Sequence, residues 1–386
     1  MLSEQLIEMQ SSGRVVFGSG EVTRIGELVR ETGATQVFLV ADPGIVASGL
    51  MDVVKAGLDV DLRVGSFEGV TPSPTTEDIE AGSDALREFG LRDTVVVAVG
   101  GGSSLDAAKG LSLHAANEVP VAELDFRAEN VRPGVPIVAV PTTAGTGSET
   151  NHFGVVTDLN GPKKVYVGHP SVKPRATILD PILTVKLPPG PTAATGMDAM
   201  VHALEALVSR SANPYADGVA LQVISMVNRW LPAAVSDGEN IEARSRMLLA
   251  SHMAGLAFSS GTGLGLCHAI AHSISSHTGA VHGVALTAVL PEVMSFNLPE
   301  SSGKLALAAK SLDVYEPSAP EKENARAAVR AIEDLSRKVL DASVSGLGVT
   351  EDLVPVLVED TLSDLVIGNT PRMPSAGEVR EILTSA

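Results

Sequence analysis

Histidines are concentrated in one part of the chain and share helix faces with one another or with an aspartate. Six of the nine histidines fall between His202 and His282. Asp198 and His202 are four residues apart, a spacing that places both on one face of a helix. His268 and His272 repeat that spacing, and His282 follows shortly after them. Ionisable side chains on otherwise apolar helices cost free energy unless they bind a partner. One carboxylate with three imidazoles suits zinc or iron(II) and leaves room for a substrate oxygen.

The remaining histidines do not fit this pattern. A single histidine usually finds an ordinary hydrogen-bond partner, so only the joint pattern predicts a metal site. We predict structural or solvent-exposed positions for the other five, His114, His152, His169, His252 and His277. Cys267 precedes His268, but successive helical residues point in different directions, and we interpret this cysteine as a small packed hydrophobe.

A glycine-rich loop at residues 100–103 joins a predicted strand at 93–99 to a helix predicted from about 104 to 116. Three adjacent glycines let a ligand approach the backbone, and the free amides of the helix N-terminus favour an anion such as pyrophosphate. The spacing is not G-x-G-x-x-G, so the usual Rossmann inference does not transfer. A tight strand-to-helix turn is the alternative interpretation of this loop.

A second loop, at residues 141–149, follows another predicted strand and carries four hydroxyls and two glycines. Such loops at strand ends suit phosphate and ribose, and an ordinary capping loop is the alternative. Asp42 ends an earlier strand and could accept hydrogen bonds from ribose hydroxyls while repelling a 2′-phosphate. Asp42 therefore favours NAD over NADP, unless it serves only to form the Asp-Pro-Gly turn.

The elements that position these residues change character along the chain. The first half alternates strands and helices, which predicts a mainly parallel α/β layer; its strands are expected at 36–41, 62–67, 93–99 and 135–140, and its helices at 76–89 and about 104–116. The second half is predicted to be helical, at 193–209, 214–230, 241–258, 266–277 and 321–340. The boundary is expected at 188–191, giving domains 1–188 and 189–386.

Composition narrows the function classes. The chain has 386 residues, 44% of them apolar, and a formal charge of −18. The apolar fraction predicts a folded core, and the acidic balance argues against nucleic-acid or anionic-membrane partners. One cysteine excludes an internal disulfide and favours a reducing compartment. Neither a secretion signal nor a spanning apolar segment is recognisable, so we expect a cytoplasmic protein.

Six segments together resemble the iron-dependent (group III) alcohol dehydrogenase family over nearly the whole chain. They are residues 100–109, 141–149, 195–202, 265–272, 281–283 and 369–372. The resemblance implies an N-terminal α/β dinucleotide-binding domain and an all-helical C-terminal metal-binding domain, with the active site in the cleft between them. It also implies a homodimer or larger homo-oligomer.

The resemblance assigns roles by position. The implied metal ligands are Asp198, His202, His268 and His282, with His272 as a non-ligand for proton relay. The implied cofactor contacts are Asp42, Ser73, Gly101, Gly102, Ser103, Thr142, Thr143, Thr146 and Lys164. Two departures from the family pattern are expected to reshape the substrate pocket. Residues 258–265 are one residue longer than usual, and Thr150 and Asn151 replace Val-Thr.

The expected activity is reversible hydride transfer between nicotinamide and a small primary alcohol or aldehyde, with Fe(II) or alternatively Zn(II) as Lewis acid. Related metal- and NAD-using enzymes of phosphorylated or phosphonate-bearing substrates would need basic residues near the metal. No Lys or Arg occurs between Met247 and Gly303, which disfavours them. A non-catalytic metal- or nucleotide-binding protein is another alternative. A metal-only hydrolase would leave the glycine loop unexplained.

Overall fold

The computed structural model describes residues 13–161 and 163–386. These residues divide into two compact units that meet along the chain between Leu187 and Pro188. The first unit is α/β and the second is helical, which confirms the predicted fold class.

The α/β unit is built on a six-stranded parallel sheet with the order β1-β8-β5-β4-β2-β3. Its strands are β1 (Arg14–Phe17), β2 (Gln36–Val40), β3 (Arg63–Phe67), β4 (Thr94–Gly100), β5 (Ile137–Pro141) and β8 (Ala176–Leu179). An antiparallel pair, β6 (Phe153–Asp158) and β7 (Lys163–Gly168), forms a separate hairpin. The helices of this unit are α1 (Ile25–Glu31), α2 (Pro43–Ala47), α3 (Leu50–Ala56), α4 (Thr76–Phe89) and α5 (Gly102–Ala115).

Both faces of the sheet are covered, so its central strand is buried throughout. Val96 and Ala98 of β4 pack into a core that includes residues of α4 and α5. Val95 and Val97 pack on the opposite face, in a core that includes residues of α1 and α3. Two-sided burial explains why β4 is an uninterrupted apolar run rather than an alternating one.

The carboxyl ends of β2, β4 and β5 lie at one edge of the sheet because these strands are parallel neighbours. Asp42 follows β2, the glycine loop follows β4, and the hydroxyl-rich loop follows β5. Ligands of open α/β sheets bind at this kind of edge. The topology therefore brings together loops that are about 60 and 40 residues apart in sequence.

The second unit, Pro188–Ala386, contains α-helices and short helical turns. Its helices are α6 (Pro189–Val208), α7 (Pro214–Ser236), α8 (Ile241–Ala257), α9 (Leu266–Thr278), α10 (His282–Ser311), α11 (Glu321–Val339), α12 (Val354–Ser363) and α13 (Ala376–Ser385). The helix α6 begins four residues earlier than predicted, because the prolines at its start occupy first-turn positions that tolerate proline. No helix within the described residues is long and apolar enough to cross a membrane.

Candidate metal centre and cofactor loops

Within the glycine loop, β4 ends at Gly100 and α5 begins at Gly102, two residues earlier than predicted, with Gly101 as the N-cap of that helix. Gly101 has no side chain, so no N-cap side chain satisfies the first-turn amides. These amides and the helix dipole favour an anionic group at this point. The local geometry fits a phosphate-bearing ligand.

The glycine loop packs closely against the hydroxyl-rich loop. A Cβ atom at Gly102 would lie 2.6 Å from Cγ2 of Thr146, and one at Gly101 would lie 3.0 Å from Cγ2 of Thr143. The Thr142 amide donates to the carbonyl of Gly100 at 2.9 Å. Glycine at Gly102 is therefore required by close approach between the two loops.

The other predicted cofactor residues lie around these loops. Ser73, in a left-handed conformation with φ 54°, donates its amide to Oγ of Ser103 at 3.3 Å. Lys164 on β7 donates to Oγ1 of Thr157 at 2.9 Å, and the Thr157 amide in turn donates to the carbonyl of Pro74, beside Ser73. Burial lowers the pKa of Lys164, although Asp106 opposes the shift.

Asp42 is a helix cap rather than only a turn residue. Its Oδ1 accepts from the amide of Ile45 in α2 at 3.1 Å, and its Oδ2 accepts from the hydroxyl of Ser104 at 3.1 Å. A carboxylate has about four acceptor sites, so these two bonds leave capacity for ribose hydroxyls. Asp42 is thus tied to the first turn of α5, next to the glycine loop.

Sequence reasoning missed the buried lysine that ties α5 to the hydroxyl-rich loop. Lys109 is 1% exposed, and its Nζ donates to the carbonyl and hydroxyl of Ser148, to Oδ1 of Asn151 and to the carbonyl of Phe153. Asn151, which belongs to the second departure from the family pattern, is therefore part of this network. Burial lowers the pKa of Lys109 to about 8, opposed by the charges of Asp106 and Glu149.

The four predicted metal ligands come together within the helical unit. Asp198 and His202 lie on α6, His268 on α9 and His282 at the first position of α10. The donor atoms of Asp198, His268 and His282 lie within 4.8 Å of one another. Nε2 of His202 is 3.3 Å from Oδ1 of Asp198, and Nε2 of His268 is 3.6 Å from the same oxygen. The donor atoms of Asp198, His268 and His282 could hold one ion, whereas His202 contacts Asp198 but lies outside that group of three.

Two buried atoms at this centre have no hydrogen-bond partner, namely Oδ1 of Asp198 and Nε2 of His268. Both residues are no more than 3% exposed. Buried polar atoms without partners are rare, and a divalent cation between them would satisfy both. The donor set and its orphaned atoms therefore fit a divalent metal such as iron(II) or zinc.

Burial and the mutual charges of these side chains shift the pKa values at this centre in different directions. Burial opposes ionisation of Asp198, but His202, His268 and His282 outweigh it and hold its pKa below the ordinary value. Burial likewise opposes protonation of His268, but the carboxylates of Glu205 and Asp198 raise its pKa to about 9. Desolvation and the neighbouring histidines hold the pKa of His282 well below normal, although Asp198 opposes them. A metal cation would compete with the proton for the same donors.

His272 lies beside the four ligands and is held from the other side by a carboxylate. Its ring stacks on that of His282, with centroids 5.3 Å apart, and its Nδ1 bonds Oδ2 of Asp364 at 2.8 Å. Sequence reasoning missed Asp364, which is 92 residues away and carries no local signal of this contact. Sequence reasoning also missed Glu205, which bonds Nδ1 of His268 at 2.6 Å.

The remaining histidines and the cysteine lie outside the proposed ligand set. His277 pairs with Asp360 at 2.6 Å, and His169 caps a short 3₁₀ helix. His252 is buried, whereas His114 and His152 are half-buried. Cys267 is fully buried, as expected for a packed residue, and burial together with Glu205 and Asp198 raises its pKa.

The segment identified as one residue longer forms a π-helical turn, Phe258–Thr262, with φ 87° at Gly261. The ring of Phe258 lies against that of His202, with centroids 4.8 Å apart. Asn369, from the C-terminal motif, donates to the carbonyl of Leu264. Turns of this kind often occur at functional sites, and this one leads directly into the metal-site helix α9.

Comparisons with known proteins match both units. Residues 12–181 match the model described as "Iron-containing alcohol dehydrogenase", and residues 192–386 match "Fe-containing alcohol dehydrogenase family, C-terminal". The chain is 34% identical to the NAD-dependent methanol dehydrogenase of Bacillus methanolicus, covering 96% of this chain and 97% of that one. It is also 34% identical to the 1,3-propanediol dehydrogenase of Citrobacter freundii, covering 96% of each. A crystal structure of 1,3-propanediol oxidoreductase superimposes with a TM-score of 0.94, 32% identity and coverage of 98% and 99%.

Proposed function

The chain belongs to the iron-containing alcohol dehydrogenase family, and we propose that it transfers a hydride between a nicotinamide cofactor and a small primary alcohol or aldehyde. The observation that carries the proposal is the buried pair of orphaned donor atoms on Asp198 and His268, in a chain whose glycine loop also leaves the first-turn amides of α5 without a side-chain cap. A protein that bound only a metal, or only a nucleotide, would need only one of these two features.

The proposed ligands of the metal are Asp198, His202, His268 and His282, with iron(II) as the ion and zinc as the alternative. A divalent ion held there supplies Lewis-acid polarisation of the substrate oxygen. The nicotinamide supplies the hydride chemistry, so the protein's part is binding, orientation and electrostatics. Oxidation of the alcohol releases one hydride to NAD and one proton to the protein or solvent.

We propose His272 as the group that accepts and passes on this proton. Asp364 bonds its Nδ1 at 2.8 Å, which places a hydrogen on that nitrogen and leaves Nε2 as the atom for proton exchange. Asp364 is itself held by the amide of Val366, which donates to Oδ1 at 3.0 Å. The imidazole is thus fixed in orientation by a carboxylate that is also fixed.

NAD(H) is the proposed cofactor in preference to NADP(H), because a carboxylate at Asp42 repels a 2′-phosphate. The proposed cofactor contacts remain those assigned by resemblance, Asp42, Ser73, Gly101, Gly102, Ser103, Thr142, Thr143, Thr146 and Lys164. We propose residues 1–188 as the cofactor-binding domain and residues 189–386 as the metal-binding domain.

The proposed assembly is a homodimer or larger homo-oligomer in the cytoplasm. The family resemblance supports the oligomer, and the single cysteine, Cys267, supports a reducing compartment. Light scattering on the purified chain tests the assembly, and a monomer at micromolar concentration would contradict it.

The function is tested by loading the protein anaerobically with Fe(II) and, separately, with Zn(II). NADH and NADPH oxidation is then followed against a panel of small aldehydes, with Asp198→Ala as the metal-site variant and His277→Ala as the control. We expect aldehyde-dependent oxidation of NADH that Asp198→Ala abolishes and His277→Ala retains. A protein that binds the metal and NADH but reduces no aldehyde would be a non-catalytic binding protein.

A further inference from the structure

Glu205, a buried glutamate on α6, forms hydrogen bonds to groups at the start of α9. It therefore links two of the helices that carry the proposed metal ligands. Asp198, His202 and Glu205 lie at positions i, i+4 and i+7 of α6 and therefore on one face of that helix. Glu205 is 3% exposed. A carboxylate this deeply buried needs several donors to offset its desolvation.

Three N–H groups at the start of α9 provide those donors. The amide of Gly265 donates to Oε2 of Glu205 at 2.8 Å, and the amide of Cys267 donates to Oε1 at 2.6 Å. Nδ1 of His268 bonds Oε2 at 2.6 Å. Gly265 is the N-cap of α9 and has no side chain to cap the helix, so Glu205 performs that capping from another helix.

The same contact fixes the imidazole of His268. In the neutral imidazole, which is the form that binds a metal, Nδ1 donates to the carboxylate and the lone pair lies on Nε2, the atom that faces Asp198 at 3.6 Å without a hydrogen-bond partner. Carboxylates bonded to the outer nitrogen of a histidine ligand orient the ring and increase its basicity towards the metal.

We infer that Glu205 is a positioning residue for the metal centre: it caps α9 and holds His268 in the tautomer and orientation that binds the ion. This inference rests on the ligand set of the proposed function. Glu205 touches neither the substrate nor the cofactor in this account. It acts through His268, and its loss therefore changes how the ion is held before it changes any chemical step.

Cobalt(II) is the probe, because its visible absorption reports the coordination sphere without any turnover. Affinity is measured by competition with a chelator, and thermal stability is measured on the metal-free proteins. Glu205→Gln keeps the size of the side chain, but its single carboxamide oxygen cannot accept hydrogen bonds from all three N–H groups. Asn240→Ala is the matched control, because Asn240 caps α8 through the amide of Ala243 and is not a proposed ligand.

We expect Glu205→Gln to weaken cobalt binding by about 10- to 100-fold and to change the visible spectrum. Asn240→Ala should lower thermal stability but leave affinity and spectrum unchanged. Should Glu205→Gln fail to fold, Glu205→Asp keeps the charge at a shorter reach and should still weaken binding. Wild-type affinity and spectrum in the folded Glu205 variants would overturn the inference and leave Glu205 as a helix cap only.

Cobalt binding by the wild type and by His268→Ala tests the proposed ligand set separately from the role of Glu205. Binding of one cobalt ion that is abolished in His268→Ala supports the proposed ligand set, whatever Glu205 does. If wild-type cobalt binding survives His268→Ala, the ligand set is wrong and the positioning role of Glu205 is overturned with it.

Discussion

His272 is proposed as a proton relay held by Asp364 and not as a metal ligand. Substitution of either residue distinguishes these two roles. His272→Ala should lower turnover by about 10²-fold or more, since positioned acid–base groups contribute that much. Metal content should stay at the wild-type level, because four other side chains are the proposed ligands. Asp364→Asn should lower turnover less, because the amide oxygen can still accept from Nδ1.

A second histidine–aspartate pair supplies the control for this prediction. His277 and Asp360 are 2.6 Å apart on α9 and α12, and His277 is not a proposed ligand. His277→Ala should retain both turnover and metal. Metal loss in His272→Ala, measured by elemental analysis, would make His272 a ligand, and unchanged turnover would remove it from the mechanism.

The proposed preference for NAD(H) over NADP(H) also depends on one residue, Asp42. Asp42→Ser keeps an oxygen that can cap α2 but removes the charge that repels a 2′-phosphate. The ratio of kcat/KM for NADPH to that for NADH should rise at least about tenfold, a change worth about 1.4 kcal/mol. Asp52→Ser, an exposed carboxylate on α3, should leave the ratio unchanged. An unchanged ratio in Asp42→Ser would show that Asp42 only forms the helix cap.

Asp198, His202 and His268 belong to pairs spaced four residues apart, which is a local signal on helices, whereas His282 has no such spacing, and the ligand roles of all four were implied by the family resemblance. The partners of these residues were not predictable in the same way. Asp364 is 92 residues from His272, and Glu205 is 63 residues from His268. Only the packing of α6, α9 and the segment after α12 brings them together. Glu205 did carry one signal, a carboxylate in an apolar helix and in phase with Asp198.

Lys109 anchors the helix α5. Because the pKa of this lysine is lowered in the folded protein, the free energy of unfolding depends on pH. Burial lowers the pKa of Lys109 to about 8 in the folded protein, against about 10.4 in an unfolded chain. Between these values the unfolded chain holds a proton that the folded protein has lost. The contribution of the lowered Lys109 pKa to the free energy of unfolding is therefore complete above about pH 10.4. It is lost as the pH falls to about 8.

The measurement for this prediction is urea unfolding of the wild type and Lys109→Met at pH 8 and pH 10. The difference in unfolding free energy between the two proteins should change by about 2 kcal/mol in favour of the wild type at the higher pH. Lys55→Met, an exposed lysine on α3, should show no such change. A difference that is independent of pH would contradict the lowered pKa of Lys109.

Elements with strong local signals were predicted closely, and elements without them were not. The helix α4 was predicted at its observed bounds from its helical spacing and from Gly90 at its end, and the structure shows that Thr75 and Asp78 form a capping box at its start. The helix α10 was missed because Pro291 and Pro299 interrupt its pattern, and the structure departs from helical geometry only at Ser301. The strands β1 and β8 were not predicted either, since four residues are too few for a periodic pattern.

At the scale of the whole molecule, the two ligands should protect different units from hydrogen exchange. Zn(II) should slow exchange in α6, α9 and the start of α10, because binding the folded state suppresses local opening. NADH should slow exchange at residues 100–106 and 141–150. Hydrogen exchange measured by mass spectrometry checks both effects. If zinc slows exchange nowhere in Pro188–Ala386, the proposal that this unit binds the metal is wrong.

The central claim is that Asp198, His202, His268 and His282 hold one catalytic iron, and anomalous scattering tests it most directly. Crystals of the iron-loaded protein are measured on both sides of the iron absorption edge. We expect a single peak within about 2.0–2.2 Å of one donor atom from each of the four side chains. A peak elsewhere in an active, iron-loaded enzyme, or a peak that omits Asp198, would contradict it.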